Sequence, residues 1–342
     1  MPNSQTAAPI PSSASIWGKP VKAVRIHKTG GPEVLQLDDI ELPPLAADQV
    51  RVRHTAIGVN FIDTYHRSGL YTLPLPAGIG SEAAGVIEET GANVRTLKKG
   101  DRVAYCMVRG SYAEGANIAA WQAVKLPQGV SDETGAAAML KGLTARYLLK
   151  ATYPVKAGQT ILFHSAAGGV GLIACQWAKS LGITVIGTVG SDDKIELAKA
   201  NGCAHVLNVR KEDWVKRVRE LTGGAGVPVV YDSIGRDTFL SSLDCLSVRG
   251  MLVYFGNSSG AVPPFDPLLL AAKGSLYLTR PTLASYARNG EELQETSDDL
   301  FEAIASGKVK IAINQRFNLA ETRACHEALH SRATTGATIL LP

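Results

Sequence analysis

The stretch His164-Ser165-Ala166-Ala167-Gly168-Gly169-Val170-Gly171 follows the apolar run Thr160-Ile161-Leu162-Phe163. A glycine-rich turn between a strand and a helix is a means of holding a pyrophosphate, because the helix N-terminus offers free backbone N–H groups and a partial positive charge. Each glycine of the dinucleotide fingerprint G-x-G-x-x-G has its own role. The first makes the tight turn, the second lets the backbone approach the phosphates, and the third lets helix and strand pack closely. Here the pattern is A-x-G-x-x-G, with Ala166 first and Gly168 and Gly171 retained. Alanine fills the first place if the turn avoids positive φ there. The turn is therefore expected to bind a dinucleotide.

The next strand should say which one. An Asp or Glu at its end would hold the ribose hydroxyls of NAD. The strand 183–189 runs instead into Gly190-Ser191, followed by Asp192, Asp193 and Lys194. With no carboxylate at the strand end a 2′-phosphate is not repelled, and Lys194, one helical turn in, could pair with it. Asp192 and Asp193 read as first-turn complements to the helix dipole, with Ser191 as N-cap; the other reading makes them ribose ligands. NADP is favoured.

Two further motifs promise chemistry that their surroundings withhold. His326-Glu327-Ala328-Leu329-His330 spells H-E-x-x-H, which could set two zinc ligands and a base on one helix face. The following residues 331–342 contain no third ligand, and the motif fits an exposed helical face equally well. Gly256-Asn257-Ser258-Ser259-Gly260 spells G-x-S-x-G, but a nucleophile elbow must enter a helix at once, and Pro263-Pro264 forbid one. That loop at the end of a strand suits a cofactor better. No tyrosine has a lysine four residues on, which excludes the short-chain dehydrogenase pair.

The elements that must position these residues form two groups. From Val21 to about Leu126 the chain reads as short strands, among them 22–27, 49–59, 83–91 and 101–108. After about Lys141 strands and helices alternate: strand 160–164, helix 169–181, strand 183–189, helix 192–201, strand 204–209, helix 212–221, strand 227–235, helix 237–247, strand 250–256 and strand 274–279. That alternation signals a doubly wound parallel α/β sheet. A long helix near 291–306, segments at 310–317 and 325–332, and a final strand 337–342 return to the first group.

Length and composition agree. The 342 residues are 45% hydrophobic and 19% charged, and the net charge of +4 is spread over 35 basic and 31 acidic residues. This balance argues against nucleic acid or a membrane surface as partner. Residues 1–19, rich in Ser, Ala and Pro with no arginine before Arg25, read as a disordered tail, a targeting role being the alternative. Five scattered cysteines without a C-x-x-C pair point to reduced thiols and a cytoplasmic setting.

The segments 78–91 (GIGSEAAGVIEETG), 100–103 (GDRV) and 166–171 (AAGGVG) resemble the medium-chain dehydrogenase/reductase superfamily. Its zinc-dependent members have histidine where this chain has Ser81 and cysteine where it has Asn60, and they carry a cluster of four cysteines that is missing here. The resemblance therefore implies that no metal is bound. Segments 60–71, 140–149, 166–179, 231–238, 255–262, 274–281 and 331–336 most closely resemble its zinc-free NADPH:quinone oxidoreductases, the zeta-crystallin type.

This resemblance implies a Rossmann NADPH-binding domain at 144–280, a β-rich GroES-like catalytic domain at 20–143 and 281–342, and a homodimer. It puts Asn60, Phe61, Ile62, Asp63, Thr64 and Tyr65 beside the nicotinamide, and Tyr65 and Tyr71 near a small quinone, with Asn60, Tyr65 and Tyr71 as the catalytic pocket. Thr144 and Tyr147 would flank the cofactor, Gly168, Gly169 and Val170 would cover its pyrophosphate, and Gly190, Ser191, Lys194 and Arg332 would hold the adenosine phosphate end. Ser233, Gly256, Asn257, Ser258, Ser259, Pro281, Thr282 and Leu283 would complete the groove. Val209 stands where the family often has an adenosine-stacking tyrosine. The rival chemistry on this scaffold is reduction of α,β-unsaturated carbonyls; a structural or RNA-binding role is the non-enzymatic alternative.

Overall fold

The computed structural model describes residues 19–342; the expected tail at 1–19 lies outside them except for Lys19. The parallel sheet holds six strands in the spatial order Cys203–Asn208, Thr184–Val189, Thr160–Phe163, Val227–Asp232, Leu246–Tyr254, Tyr277–Thr279. Counted along the chain this is 3-2-1-4-5-6, the doubly wound order, and it reverses between Thr160–Phe163 and Val227–Asp232. Both faces are covered. Ile161, Phe163, Val185, Val229 and Tyr231 join one core with Ile173, Ala174 and Trp177 of helix Gly169–Ser180. Leu162, Ile186 and Val230 join another with Val218, Phe239 and Leu243. The period-2 alternation of side chains sends neighbouring residues to opposite cores, so each strand reads as an unbroken apolar run.

The second sheet is built on the long strand Gln49–Val59, antiparallel to Glu82–Thr90, which pairs in turn with Arg102–Cys106. The C-terminal strand Ala337–Leu341 closes its other edge, with Thr338 opposite Val59, and Ile313–Asn318 lies parallel beyond it. A small sheet of Leu35–Ile40, Val21–Ile26 and Ala77–Gly78 stands apart. The strands Ile313–Asn318 and Ala337–Leu341 thus rejoin the sheet built on Gln49–Val59 after the parallel sheet has intervened.

Helix Asp132–Tyr147 joins the two sheets. It packs on strands Gln49–Val59, Glu82–Thr90 and Arg102–Cys106, and on helices Gly169–Ser180 and Gly290–Ala305. Its small residues permit this: a Cβ on Gly142 would lie 2.4 Å from Leu300, and one on Gly58 would lie 2.2 Å from the Ala136 carbonyl. Ser131 caps it, accepting from Thr134 N–H at 3.1 Å.

Several bounds differ from expectation. Helix 237–247 is shorter, Phe239–Asp244, because Leu246 already pairs with Val227 in the sheet. Strand 227–235 stops at Asp232, whose carboxylate turns the chain by accepting Ile234 N–H at 2.7 Å and Gly235 N–H at 3.1 Å. Strand 274–279 shrinks to Tyr277–Thr279, since Gly274 and Ser275 take positive φ in a turn. Among the described residues no helix is long and apolar enough to cross a membrane.

Candidate active-site cleft

The carboxyl ends of Thr160–Phe163 and Val227–Asp232 open onto a cleft of about 560 Å³. The reversal of strand order lies here, where the connections leave in opposite directions and a crevice remains. Gly168, Gly169, Val170, Gly190, Ser191, Lys194, Val209, Ser233, Gly256, Ser258, Pro281, Thr282, Leu283 and Arg332 line it. So do Asn60, Phe61, Ile62, Tyr65, Tyr71, Thr144 and Tyr147. Four expected residues are not on its wall: Asp63, Thr64, Asn257 and Ser259 sit behind it.

The turn explains how Ala166 replaces glycine. Ala166 is not among the residues at positive φ; the left-handed residue is Ser165, at 54°. Its methyl fits because the next strand has Gly187 opposite, where a Cβ would lie 2.7 Å from that of Ala166. The glycine has in effect moved to the neighbouring strand. At Gly171 a Cβ would come within 2.3 Å of the Ser165 carbonyl, so this position keeps the close helix–strand approach. Above Gly190 there is open space: a Cβ there would first meet Arg210 Nε, at 4.0 Å.

Positive charge gathers at this end. The Lys194 ammonium donates to the Arg332 carbonyl at 2.7 Å and faces that of Thr334 at 3.5 Å. Arg210, which no sequence motif marks, lies in the wall beside them. Neither Asp192 nor Asp193 lines the cleft. Asp192 is held away by Lys211 and by Asn208 Nδ2, 2.6 Å from its Oδ1, and both lower its pKa. The competing acid is thus already occupied.

The opposite end is aromatic. Helix Phe61–Ser68 places Phe61 and Tyr65 on the wall and ends at Gly69, φ 84°. Tyr65 and Tyr71 pack edge to face at 5.3 Å. The Tyr65 hydroxyl accepts Asn257 N–H at 2.9 Å; that of Tyr71 accepts Arg280 Nη2 at 3.0 Å and Asn257 Nδ2 at 3.4 Å. Among the described residues neither hydroxyl has an acceptor for its own proton. Burial pushes the Tyr65 phenol up to about 12, so it stays protonated and available as a donor. Asn257 therefore acts from behind the wall, aiming both rings.

Beneath them lies a buried polar cluster that includes Asn60 and Ser81. Glu82, fully buried, accepts Asn60 Nδ2 at 2.8 Å, Lys141 Nζ at 2.9 Å and Leu140 N–H at 2.6 Å. Lys141 lines the cleft and was not anticipated. Ser81 donates to Asp63 at 2.6 Å, and the Asn60 N–H and the Tyr112 hydroxyl each donate to the same carboxylate at 2.9 Å. Burial raises Asp63 to about 6, against the pull of these three donors.

His326 ends this network and is buried rather than on an exposed face, correcting the expectation for H-E-x-x-H. Its Nδ1 accepts from Arg67 at 3.1 Å, which leaves Nε2–H to donate to Tyr112 at 3.2 Å. Burial and then Arg67 lower it to about 3, so it is a neutral structural link. Among the described residues no three His, Cys, Asp or Glu side chains converge as a metal site. The G-x-S-x-G loop runs to Leu268 before a helix begins, so Ser258 has no elbow. Gly256 is required instead by the approach of the two strand ends, since a Cβ there would meet the Ser233 carbonyl at 2.7 Å.

Comparison with known proteins places this geometry. Residues 46–149 match the alcohol dehydrogenase GroES-like domain and residues 169–303 the zinc-binding dehydrogenase family. The quinone oxidoreductase of Pseudomonas aeruginosa is 52% identical over 323 residues, 94% of this chain and 99% of that protein. A 2-haloacrylate reductase of a Burkholderia species is 44% identical over 331 residues, 94% of this chain and 99% of that protein. The crystal structure of Escherichia coli quinone oxidoreductase complexed with NADPH superimposes with a TM-score of 0.93 at 50% identity, covering 94% of this chain and all of that one.

Proposed function

The chain belongs to the quinone oxidoreductases of the medium-chain dehydrogenase/reductase superfamily, and from that membership we propose that it is an NADPH-dependent enzyme passing electrons to small quinones without a metal. The observation that carries the reading is the pair of tyrosine hydroxyls, Tyr65 and Tyr71. Each is fixed by accepting a protein hydrogen bond, and among the described residues neither hydroxyl has a protein acceptor to donate to.

The residues present suit NADPH. Gly190 leaves room for phosphate above the backbone, while Gly168 lines the cleft with its would-be Cβ position already 3.2 Å from the Ser165 carbonyl, and Lys194, Arg210 and Arg332 supply cations for the 2′-phosphate. NADPH, when bound, would supply two electrons and one of the two hydrogen nuclei that convert a quinone to a hydroquinone; water or an exchanging hydroxyl would supply the remaining proton. The protein does the rest. Tyr147 and Leu283 form apolar walls that exclude water and keep the reacting rings close. Tyr65 and Tyr71 donate to the quinone oxygen as negative charge develops there. Asp63 and Thr64, behind the wall, hold the helix that carries Tyr65 and are positioning residues in this scheme.

A metal would add little, because a quinone is already electrophilic. The donor set argues against one: an amide, a hydroxyl and a carboxylate already paired to Lys141 are poor zinc ligands. Five cysteines, all buried and unpaired, support a reducing cytoplasmic location. We further assign residues 20–143 with 281–342 to the catalytic domain and 144–280 to the cofactor domain, the helix Asp132–Tyr147 running through the junction. Strand Tyr277–Thr279 is an open sheet edge, flanked by exposed Val248, Leu268 and Tyr277, and we assign it to pairing with a second copy as a homodimer.

The second reading, reduction of an activated C=C bond, is favoured by the similarity to a 2-haloacrylate reductase. Steady-state oxidation of NADPH against parallel panels of quinones and enals decides between them. Quinones are expected to be the better acceptors. An enal with kcat/KM roughly a hundredfold above every quinone, about 2.7 kcal/mol of transition-state preference, overturns the assignment.

A further inference from the structure

We propose that Arg280 makes the acceptor pocket selective for substrates carrying an anionic substituent, a carboxylate or sulfonate on the ring of the electron acceptor. The inference rests on the quinone reading above and narrows it to a substrate class.

The cleft wall contains five cationic side chains, Lys141, Lys194, Arg210, Arg280 and Arg332, and no Asp or Glu. Four have an evident counterpart. Lys141 is neutralised by Glu82 at 2.9 Å. Lys194, Arg210 and Arg332 cluster at the adenosine end, where the cofactor brings its own phosphates. Arg280 stands apart from them, at the tyrosine end. Its Nη2 donates to the Tyr71 hydroxyl at 3.0 Å and its Nη1 to the Pro281 carbonyl at 3.2 Å. Its guanidinium carbon lies 4.9 Å from the centre of the Tyr254 ring.

These partners are neutral. They orient the guanidinium without cancelling its charge, and the Nε–H with the remaining Nη–H groups is left unspent. A planar fork with free N–H groups matches a carboxylate or sulfonate in two parallel hydrogen bonds. Since Arg280 touches the hydroxyl of Tyr71, an anionic group held there puts the adjoining ring against Tyr65 and Tyr71. The same contact that recognises the substituent thus sets the reacting oxygen.

The test compares 1,2-naphthoquinone with 1,2-naphthoquinone-4-sulfonate, with NADPH saturating. For the variant Arg280→Gln, kcat/KM for the sulfonate is expected to fall roughly tenfold further than for the uncharged quinone, the lower range for a charge-assisted contact at an exposed guanidinium. Comparing variant with wild type for each acceptor cancels their difference in reduction potential. Arg280→Lys, which keeps the charge and loses the fork, should lie between. In the wild type, added salt should raise KM for the sulfonate and leave that of the neutral quinone nearly constant; this arm holds even if a variant fails to fold. Equal losses for both acceptors, or a matching rise in the NADPH dissociation constant, overturn the proposal, the latter by assigning Arg280 to the cofactor. If the wild type reduces neither quinone, the quinone reading itself fails; if it reduces both without discrimination or salt dependence, only the anion selectivity does.

Discussion

Replacing Lys194 with alanine should erode the preference for NADPH over NADH. The half-buried ammonium donates to the Arg332 carbonyl at 2.7 Å, with the Thr334 carbonyl at 3.5 Å, so it is already aimed at the adenosine end of the cleft. Two carbonyl partners spend two of its three donors, leaving the third and the full charge for a 2′-phosphate. A charge-assisted contact is worth about 1.5–3 kcal/mol, or roughly 10- to 150-fold in affinity. The lower part of that range applies, because exposed Arg210 stands beside Gly190 and would retain part of the attraction. Dissociation constants for both cofactors, read from quenching of protein fluorescence, give the answer directly. The expected result is a loss of about tenfold for NADPH and little change for NADH, deepening when Arg210→Ala is added. Equal weakening of both cofactors would refute the reasoning: Lys194 would then serve only to tie down the segment 332–334.

Tyr65→Phe should slow quinone turnover by about tenfold or less, the worth of one neutral hydrogen bond. With the phenol held up near 12 by burial, the wild-type to Tyr65→Phe rate ratio should stay constant to about pH 10.5, and a ratio decaying to one around the ordinary phenol value of about 10 contradicts the donor role. The purified protein should contain no stoichiometric zinc and keep its activity in strong chelator; elemental analysis near one zinc per chain, with activity lost on chelation, says otherwise. Asp63 titrates near 6 in the folded protein against 3.8 as an unperturbed carboxyl, so the folded state binds its proton more tightly and this residue's contribution to stability falls as pH rises between those values. Relative to Asp63→Asn, whose amide does not titrate, the wild type should therefore lose about 3 kcal/mol between pH 3.5 and 7, measurable by urea unfolding; a difference that does not change with pH excludes the shift.

What could be read from the sequence was whatever carries a period. Thr160–Phe163, Thr184–Val189 and Val227–Asp232 announce a buried parallel sheet because both faces are apolar, and helix Gly169–Ser180 because its apolar residues recur at helical spacing. Helix Asp132–Tyr147 escaped for the opposite reason. It is buried almost all round by Gly and Ala, so no polar face sets its phase. With it went Lys141, whose partner Glu82 lies 59 residues earlier, on strand Glu82–Thr90. Arg280 escaped because its partners, Tyr71 and Tyr254, come from both domains and no local spacing joins them. Arg210, by contrast, was within reach: an arginine immediately after Val209, at the end of the strand that flanks the proposed adenosine site, is a signal of the kind that singled out Lys194.

The side chains gathered around Glu82 bear on the acceptors we propose for this cleft. A zinc ion would polarise an alcohol or carbonyl oxygen and let the site run alcohol oxidation. Here the Lys141 ammonium sits against Glu82, with Asn60 on the same carboxylate oxygen, so the local charges cancel within the protein. Such a pair contributes rigidity more than net field, since burying it offsets much of its attraction. Its side-chain stem also packs under the phosphate turn: a Cβ on Gly169 would lie 2.9 Å from the Lys141 Cδ. The pair therefore ties the cofactor turn to the strand and helix that carry the pocket. On the proposed reading, what acts on the acceptor is the pair of phenolic donors Tyr65 and Tyr71. There they suffice for an acceptor that takes electrons readily and fall short for an alcohol: His164 on this wall has its two ring nitrogens engaged by Thr188 and Ser242 and is not placed to remove a hydroxyl proton. Under that reading the restriction to electrophilic acceptors follows from the donors this wall presents.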